Sequence, residues 1–185
     1  MSKAIPKICI IDYGMGNLRS VINALEYTVK CDVVISSEKK ELDSADILIL
    51  PGVGSFKDAI ENLRERDIVE KLNYEVLIQK KPLMAICLGI QLVMESSEEG
   101  GYSEGLSLIP GIVTRLKVPN EFRLPHMGWN NIKVKNQNDL FEGIEQDSNF
   151  YFVHSYHVNC DQSYVIATCN YGYEFTAAIQ KDNIV

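Results

Sequence analysis

Short apolar runs alternate with stretches of helical periodicity through the first half of the chain. The runs cover residues 7–11, 32–35, 46–50 and 82–86. Continuous apolar runs of this length are typical of parallel strands that are buried on both faces and joined by crossover helices. The pattern therefore predicts an α/β fold with an open, mostly parallel sheet and helices on both faces, a flavodoxin-like three-layer sandwich.

The second half of the chain, after Gly105, has a different pattern. Shorter β-rich runs are separated by polar turns, and they cover residues 111–117, 130–134, 149–153, 164–168 and 175–180. These runs predict antiparallel additions to the sheet. No charged or proline-rich linker interrupts the 185 residues, so we expect a single domain over residues 1–185.

The net charge argues against two classes of partner, and the cysteine content argues against one class of protein. The formal net charge is −7 and the pI is about 5.0, which leaves no basic field for nucleic acid or for a membrane surface. The five cysteines include no Cys-x-x-Cys pair, which argues against a disulfide framework. We recognise neither a signal peptide nor an apolar run of transmembrane length, and we expect a cytoplasmic protein.

Cys87 is the residue most clearly placed for chemistry. An apolar strand runs into it, a helical pattern begins directly after it, and Gly89 follows two residues later. This nucleophile-elbow pattern exposes a side chain at the carboxyl edge of an α/β sheet, at a helix N-terminus. Backbone N–H groups and the helix dipole favour thiolate there, so we expect a pKa below the ordinary value of about 8.5. A buried core cysteine is the competing interpretation.

Two other segments bear on the chemistry. The Pro-Gly-Val-Gly loop at residues 51–54 follows an apolar strand, and its glycines allow backbone N–H groups to turn toward an oxyanion. A plain strand-to-helix connection is the alternative. His154 and His157 suggest a metal site, but side chains three positions apart on a strand point to opposite faces unless the strand bends. We therefore expect no metal.

Several separated motifs, in one order along the chain, resemble those of the class I glutamine amidotransferases. They occupy residues 11–20, 51–56, 87–91, 95–99, 126–130 and 152–156. The resemblance extends from about Lys7 to Val185 and is closest to the glutaminase subunits of imidazole glycerol phosphate synthases. It implies hydrolysis of L-glutamine to glutamate and ammonia through a thioester on Cys87, without a cofactor.

The resemblance also implies a role for each part of the glutaminase site. The residues implied to hold the developing oxyanion through the backbone are Gly52, Val53, Gly54 and Leu88. The residues implied to bind glutamine are Gln91, Glu99, Ser155 and Tyr156. Without the resemblance, an ordinary exposed helix face is the simpler interpretation of Gln91 and Glu99.

A partner surface is implied at Trp129 and Tyr151. In the resembling family this surface faces a cyclase subunit, a (βα)₈ barrel that forms a heterodimer with the glutaminase and receives its ammonia to make imidazole glycerol phosphate in histidine biosynthesis. Core packing is the alternative for these aromatics.

Ala85 and Ile90 depart from the usual residues of the family, which leaves open a paralogue that supplies ammonia for sugar amidation in surface polysaccharides.

The printed sequence departs from the family pattern after Ile184. The family continues there into a Phe-His-Pro-Glu motif that supplies a histidine base and its orienting glutamate, and residues 1–185 do not include this motif. Because the base takes the thiol proton, we expect residues 1–185 alone to be slow or inactive. A chain shortened relative to the family, a catalytically silent binding subunit and a thiol-dependent hydrolase or redox sensor all remain open.

Overall fold

Four parallel strands form the sheet that carries the candidate site. The computed structural model describes residues 5–135 and 139–185. The strands are β1 (Lys7–Ile11), β2 (Asp32–Ser36), β3 (Ile47–Leu50) and β4 (Leu83–Ala85). They are hydrogen-bonded in the order β2-β1-β3-β4, with every pair parallel. Each of the four predicted strands is confirmed to within one residue at either end.

Helices cover both faces of this sheet because the inner positions of its strands are apolar on both faces. They are α1 (Leu18–Thr28), α2 (Lys39–Ser44), α3 (Phe56–Glu65), α4 (Val69–Asn73), which continues into a π-helical turn at Tyr74–Ile78, and α5 (Leu88–Leu92). Ile8 and Ile10 point to the face that α1 covers, whereas Cys9 and Ile11 point to the other helices. The sequence did not predict α2, since Leu42 is its only buried residue.

The remaining strands form two largely antiparallel sheets of their own rather than extending the parallel sheet. The strands are β5 (Ser96–Ser97), β6 (Ser103–Glu104), β7 (Gly111–Arg115), β8 (His126–Val134), β9 (Asn149–His154), β10 (Tyr156–Cys160), β11 (Val165–Asn170) and β12 (Glu174–Ile179). Their orders are β10-β7-β5-β6 and β12-β11-β8-β9, and a 3₁₀ turn lies at Asp139–Phe141. The predicted α/β fold class is confirmed, although β5, β6 and β10 were not foreseen.

The register of the parallel sheet brings two loops together at its carboxyl edge. β3 and β4 are neighbours, and the loop at residues 51–54 leaves β3 where Cys87 follows β4. A hydrogen bond of 2.9 Å from the Ile86 N–H to the Leu50 carbonyl joins the two strand ends. Within residues 5–135 and 139–185, no helix combines the length and the apolar content needed to cross a bilayer.

Candidate active site

Cys87 lies at a sharp turn between β4 and α5. Its φ is 57° and its ψ is −109°, a conformation that a residue with a side chain rarely adopts. It is the N-cap residue of α5, and its side chain is exposed. The turn therefore holds the thiol at the surface of the carboxyl edge, and the interpretation as a core cysteine is wrong. Strain of this kind clusters at functional sites.

The surroundings of Cys87 do not lower the pKa of its thiol. The protein packed around the sulfur raises its pKa above the ordinary value, because burial disfavours the charged form even though part of the side chain remains accessible. The backbone N–H of Leu88 lowers the pKa but does not offset this effect. The predicted lowering is therefore not found, since desolvation outweighs the single backbone hydrogen bond. Efficient use of this thiol requires a base.

The loop at residues 51–54, which we call the oxyanion loop, contacts the start of α5. A Cβ added to Gly52 would lie 2.8 Å from Leu88 Cβ and 3.3 Å from the Gly89 nitrogen. Gly54 has a φ of +98°, a conformation that favours glycine, and the Val53 side chain between them is exposed. The structure therefore brings together the four residues that the sequence suggested for the oxyanion.

Tyr13 supports the oxyanion loop through a hydrogen bond, and no role was predicted for this residue. It is fully buried, and its hydroxyl donates a 2.7 Å hydrogen bond to the Pro51 carbonyl. Burial raises its pKa, and the nearby Cys87 thiol adds to the rise, so the phenol stays protonated and remains a donor. Its position in the loop that follows β1, two residues past Ile11, was the available signal.

The residues suggested for glutamine binding divide into two groups. Gln91 Nε2 donates to the Tyr156 carbonyl at 3.3 Å, which joins α5 to β10. The Ser155 carbonyl is already engaged by the Leu116 N–H at 2.9 Å. The Glu99 carboxylate accepts from the N–H of Phe56, the first residue of α3, at 2.7 Å. Glu99 therefore lies beside the oxyanion loop rather than beside Gln91.

A cavity of about 460 Å³ opens next to Cys87. Gln91 and Tyr156 line it together with largely apolar side chains from the antiparallel sheets, whereas Glu99 and the oxyanion loop do not. A substrate in this cavity would have its aliphatic part against the apolar lining and polar groups against Gln91 and Tyr156.

The three histidines are held by hydrogen bonds and aromatic packing. A bend at Ser155 lets His154 and His157 both pack against Phe175, with ring centroids 5.0 and 6.1 Å from it. His157 Nε2 contacts the Tyr173 hydroxyl at 3.0 Å, and both ring nitrogens of His154 have partners. Among the described residues, no group of three histidine, cysteine, aspartate or glutamate side chains is placed to hold a metal ion.

An exposed apolar strip runs along β8 and β9. Trp129 and Tyr151 form a cross-strand pair with their rings in edge-to-face contact at 5.7 Å, and 74% and 56% of their surfaces are exposed. The neighbouring pair, Met127 and Val153, is exposed as well. Core packing of these aromatics is therefore wrong, and the strip is available to a partner.

Comparison with known proteins gives one consistent family. The model of the family described as glutamine amidotransferase class-I matches residues 9–185. Imidazole glycerol phosphate synthase subunit HisH 2 of Vibrio vulnificus is 47% identical over 179 residues, which are 97% of this chain and 84% of the relative. Subunit HisH of Bacillus thuringiensis subsp. konkukian is 45% identical over 177 residues, 96% of this chain and 83% of the relative.

Solved structures agree on the fold. A crystal structure described as a glutamine amidotransferase superposes with a TM-score of 0.71 at 17% identity, over 95% of this chain and 86% of that one. PurLQS from Thermotoga maritima gives a TM-score of 0.69 at 20% identity, over 97% and 84% of the two chains. The fold is thus shared by proteins whose sequences have diverged widely.

Proposed function

Because this chain belongs to the class I glutamine amidotransferase family, and within it to the HisH subunits of imidazole glycerol phosphate synthase, we propose that it releases ammonia from L-glutamine at Cys87. The observation that carries the proposal is the elbow, where an exposed thiol at positive φ lies beside the oxyanion loop. The chain would act in the cytoplasm as the glutaminase half of a synthase in histidine biosynthesis.

The proposed reaction has two steps. Cys87 Sγ attacks the side-chain amide carbon of glutamine, and backbone N–H groups of the oxyanion loop and of Leu88 stabilise the charge that develops on the carbonyl oxygen. Cleavage of the carbon–nitrogen bond releases ammonia and leaves a γ-glutamyl thioester. Water then hydrolyses the thioester, which yields glutamate and returns the thiol. Gln91 and Glu99 would orient the substrate's polar head.

The base is assigned to the family's Phe-His-Pro-Glu motif, on the resemblance alone. The raised pKa of Cys87 makes such a base necessary, since little thiolate forms unaided at neutral pH. The Val185 N–H donates to the Leu83 carbonyl at 2.9 Å, and the Val185 carbonyl accepts from the Ala85 N–H at 2.7 Å. The backbone at Ile184 and Val185 therefore lies parallel to β4. The chain direction there leads along β4 toward Cys87, so a motif in that direction would approach the thiol.

The partner is proposed to be a (βα)₈-barrel cyclase that forms a heterodimer with this chain. The exposed strip around Trp129 and Tyr151 supports this proposal. At the centre of protein interfaces, large aromatic side chains are enriched and charged side chains are depleted. Ammonia would pass to the partner, where the acceptor binds.

The test separates production of ammonia from its use. Cys87→Ala and Cys87→Ser are compared with Cys31→Ala in a protein that carries the Phe-His-Pro-Glu motif and is paired with the cyclase. Both Cys87 variants should lose glutamate release by at least about a thousandfold, because a hydroxyl or a methyl cannot replace the thiolate. Synthesis from free ammonia should continue, and Cys31→Ala should behave like the unsubstituted protein.

Two results would contradict the proposal. One is glutamine-dependent activity that survives Cys87→Ala. The other is a protein that binds the cyclase but releases no glutamate even with the motif present, which would identify a silent binding subunit.

A further inference from the structure

A chain of hydrogen bonds connects β8 to the proposed glutamine pocket. Asn130 Nδ2 lies 3.3 Å from His126 Nε2, and His126 Nδ1 lies 3.0 Å from His154 Nε2. His154 Nδ1 lies 2.9 Å from the Tyr156 carbonyl oxygen, which also accepts from Gln91. The chain therefore begins on the strand that carries Trp129 and ends at a side chain proposed to bind substrate.

The chemistry of the two ends determines where each proton lies. The Tyr156 carbonyl can only accept, so His154 carries its hydrogen on Nδ1 and, when neutral, accepts at Nε2. His126 must then donate from Nδ1 and accept from Asn130 at Nε2. The Asn130 amide is oriented for this, because its nitrogen also donates to the Asn170 carbonyl at 2.9 Å. The bonds from Asn130 to the Tyr156 carbonyl therefore all run in one direction, and Gln91 donates to the same carbonyl from the other side.

Burial keeps both imidazoles neutral, as this chain of bonds requires. His126 is 2% exposed and lies between the rings of Tyr171 and Phe152, with centroids 4.0 and 4.9 Å away. Desolvation lowers its pKa to about 4, and it also lowers the pKa of His154. At neutral pH each ring can therefore donate at one nitrogen and accept at the other.

We propose that His154 is a positioning residue, which holds the Tyr156 carbonyl and through it the Gln91 side chain in the geometry that glutamine needs. His126 and Asn130 tie that geometry to β8, the strand of the proposed partner surface. The inference rests on the proposed function, since it names glutamine as the ligand. It adds a hydrogen-bonded link between two surfaces that are separate in sequence.

The first measurement is glutamine binding by calorimetry in a Cys87→Ala background, which requires neither nucleophile nor base. His154→Leu removes both bonds and should weaken the Kd for glutamine about tenfold, the effect typical of one lost hydrogen bond. His154→Asn is the matched variant, because its Nδ2 branches from Cγ as the imidazole Nδ1 does and can still donate to Tyr156. It should stay within about threefold.

The second measurement is ¹⁵N NMR of the histidine rings, which does not depend on glutamine. His154 and His126 should both appear as neutral Nδ1–H tautomers at pH 7. His126→Phe keeps the stacked ring but removes the donor to His154 Nε2; because the Tyr156 carbonyl still accepts from Nδ1, His154 should keep its Nδ1–H tautomer. The Gln91 side-chain amide should show one sharp pair of signals that broadens in His154→Leu and is retained in His154→Asn.

The outcomes separate the two proposals. An Nε2–H tautomer at His154, an unchanged glutamine Kd in His154→Leu, or equal loss in His154→Leu and His154→Asn would each overturn the positioning role. Failure of the Cys87→Ala protein to bind any glutamine would instead overturn the proposed function, and the tautomer and Gln91 signals would still decide whether His154 holds this geometry.

Discussion

Gly89→Ala tests whether close backbone approach builds the elbow at Cys87. A Cβ at this position would collide with the Leu50 carbonyl oxygen and lie 3.1 Å from the Leu50 carbonyl carbon. The obstacle is backbone of β3, which cannot rotate away as a flexible side chain does. The same oxygen accepts the Ile86 N–H at 2.9 Å, so any displacement also weakens the bond that joins β3 to the elbow.

The expected cost follows from these two contacts. Overpacking against fixed atoms costs about 1–3 kcal/mol, and weakening one buried hydrogen bond adds about 1 kcal/mol. For a domain of this size a loss of about 2–4 kcal/mol lowers the Tm by roughly 5–15 °C. Gly100→Ala is the control, because Gly100 has a φ of +67° and no neighbour within 4 Å. It should cost about 1 kcal/mol through backbone strain alone.

Thermal unfolding followed by circular dichroism measures both variants, and alkylation of Cys87 followed by mass spectrometry reports on the elbow itself. Gly89→Ala should lower the Tm more than Gly100→Ala does and should change the alkylation rate of Cys87. If Gly89→Ala lowered the Tm by no more than Gly100→Ala, the close approach of α5 to β3 would not be what shapes the elbow.

Three other outcomes follow from burial and charge. Alkylation of Cys87 in residues 1–185 should be slow at pH 7 and should accelerate up to pH 9 or above, because burial raises its pKa; a rate that is already maximal at pH 7 would contradict this. His126 and His157 have pKa values of about 4 in the fold against an ordinary 6.5, so the unfolded chain binds more protons between these values. The free energy of unfolding should therefore fall as the pH is lowered from 6.5 to 4, by at most about 1.4 kcal/mol per pH unit for each histidine, and urea titrations at pH 7, 5.5 and 4.5 would show a flat profile if this is wrong. Trp129→Ala should weaken cyclase binding at least about thirtyfold in calorimetry, whereas Tyr27→Ala, which removes an even more exposed aromatic near the C-terminal end of α1, should leave binding unchanged.

The parallel sheet was predictable because each of its strands can be recognised from consecutive residues alone. The strands at Lys7–Ile11 and Ile47–Leu50 are buried on both faces, so each is a continuous apolar run that stands out from its neighbours. The elbow was predictable for the same reason, since a strand, a cysteine and a glycine two residues later are contiguous. The family and its proposed chemistry followed from such contiguous motifs.

Contacts between distant segments decided the rest. Gln91 meets Tyr156 across 65 positions, and the pairing of His126 with His154 depends on the register of β8 and β9, which a local pattern does not encode. The two-residue strands β5 and β6 exist only because other strands lie beside them. The pKa of Cys87 illustrates the limit most directly. The helix N-terminus next to it is visible in the sequence, but the burial that outweighs it is a sum over atoms from several elements, and only the tertiary structure brings those atoms together.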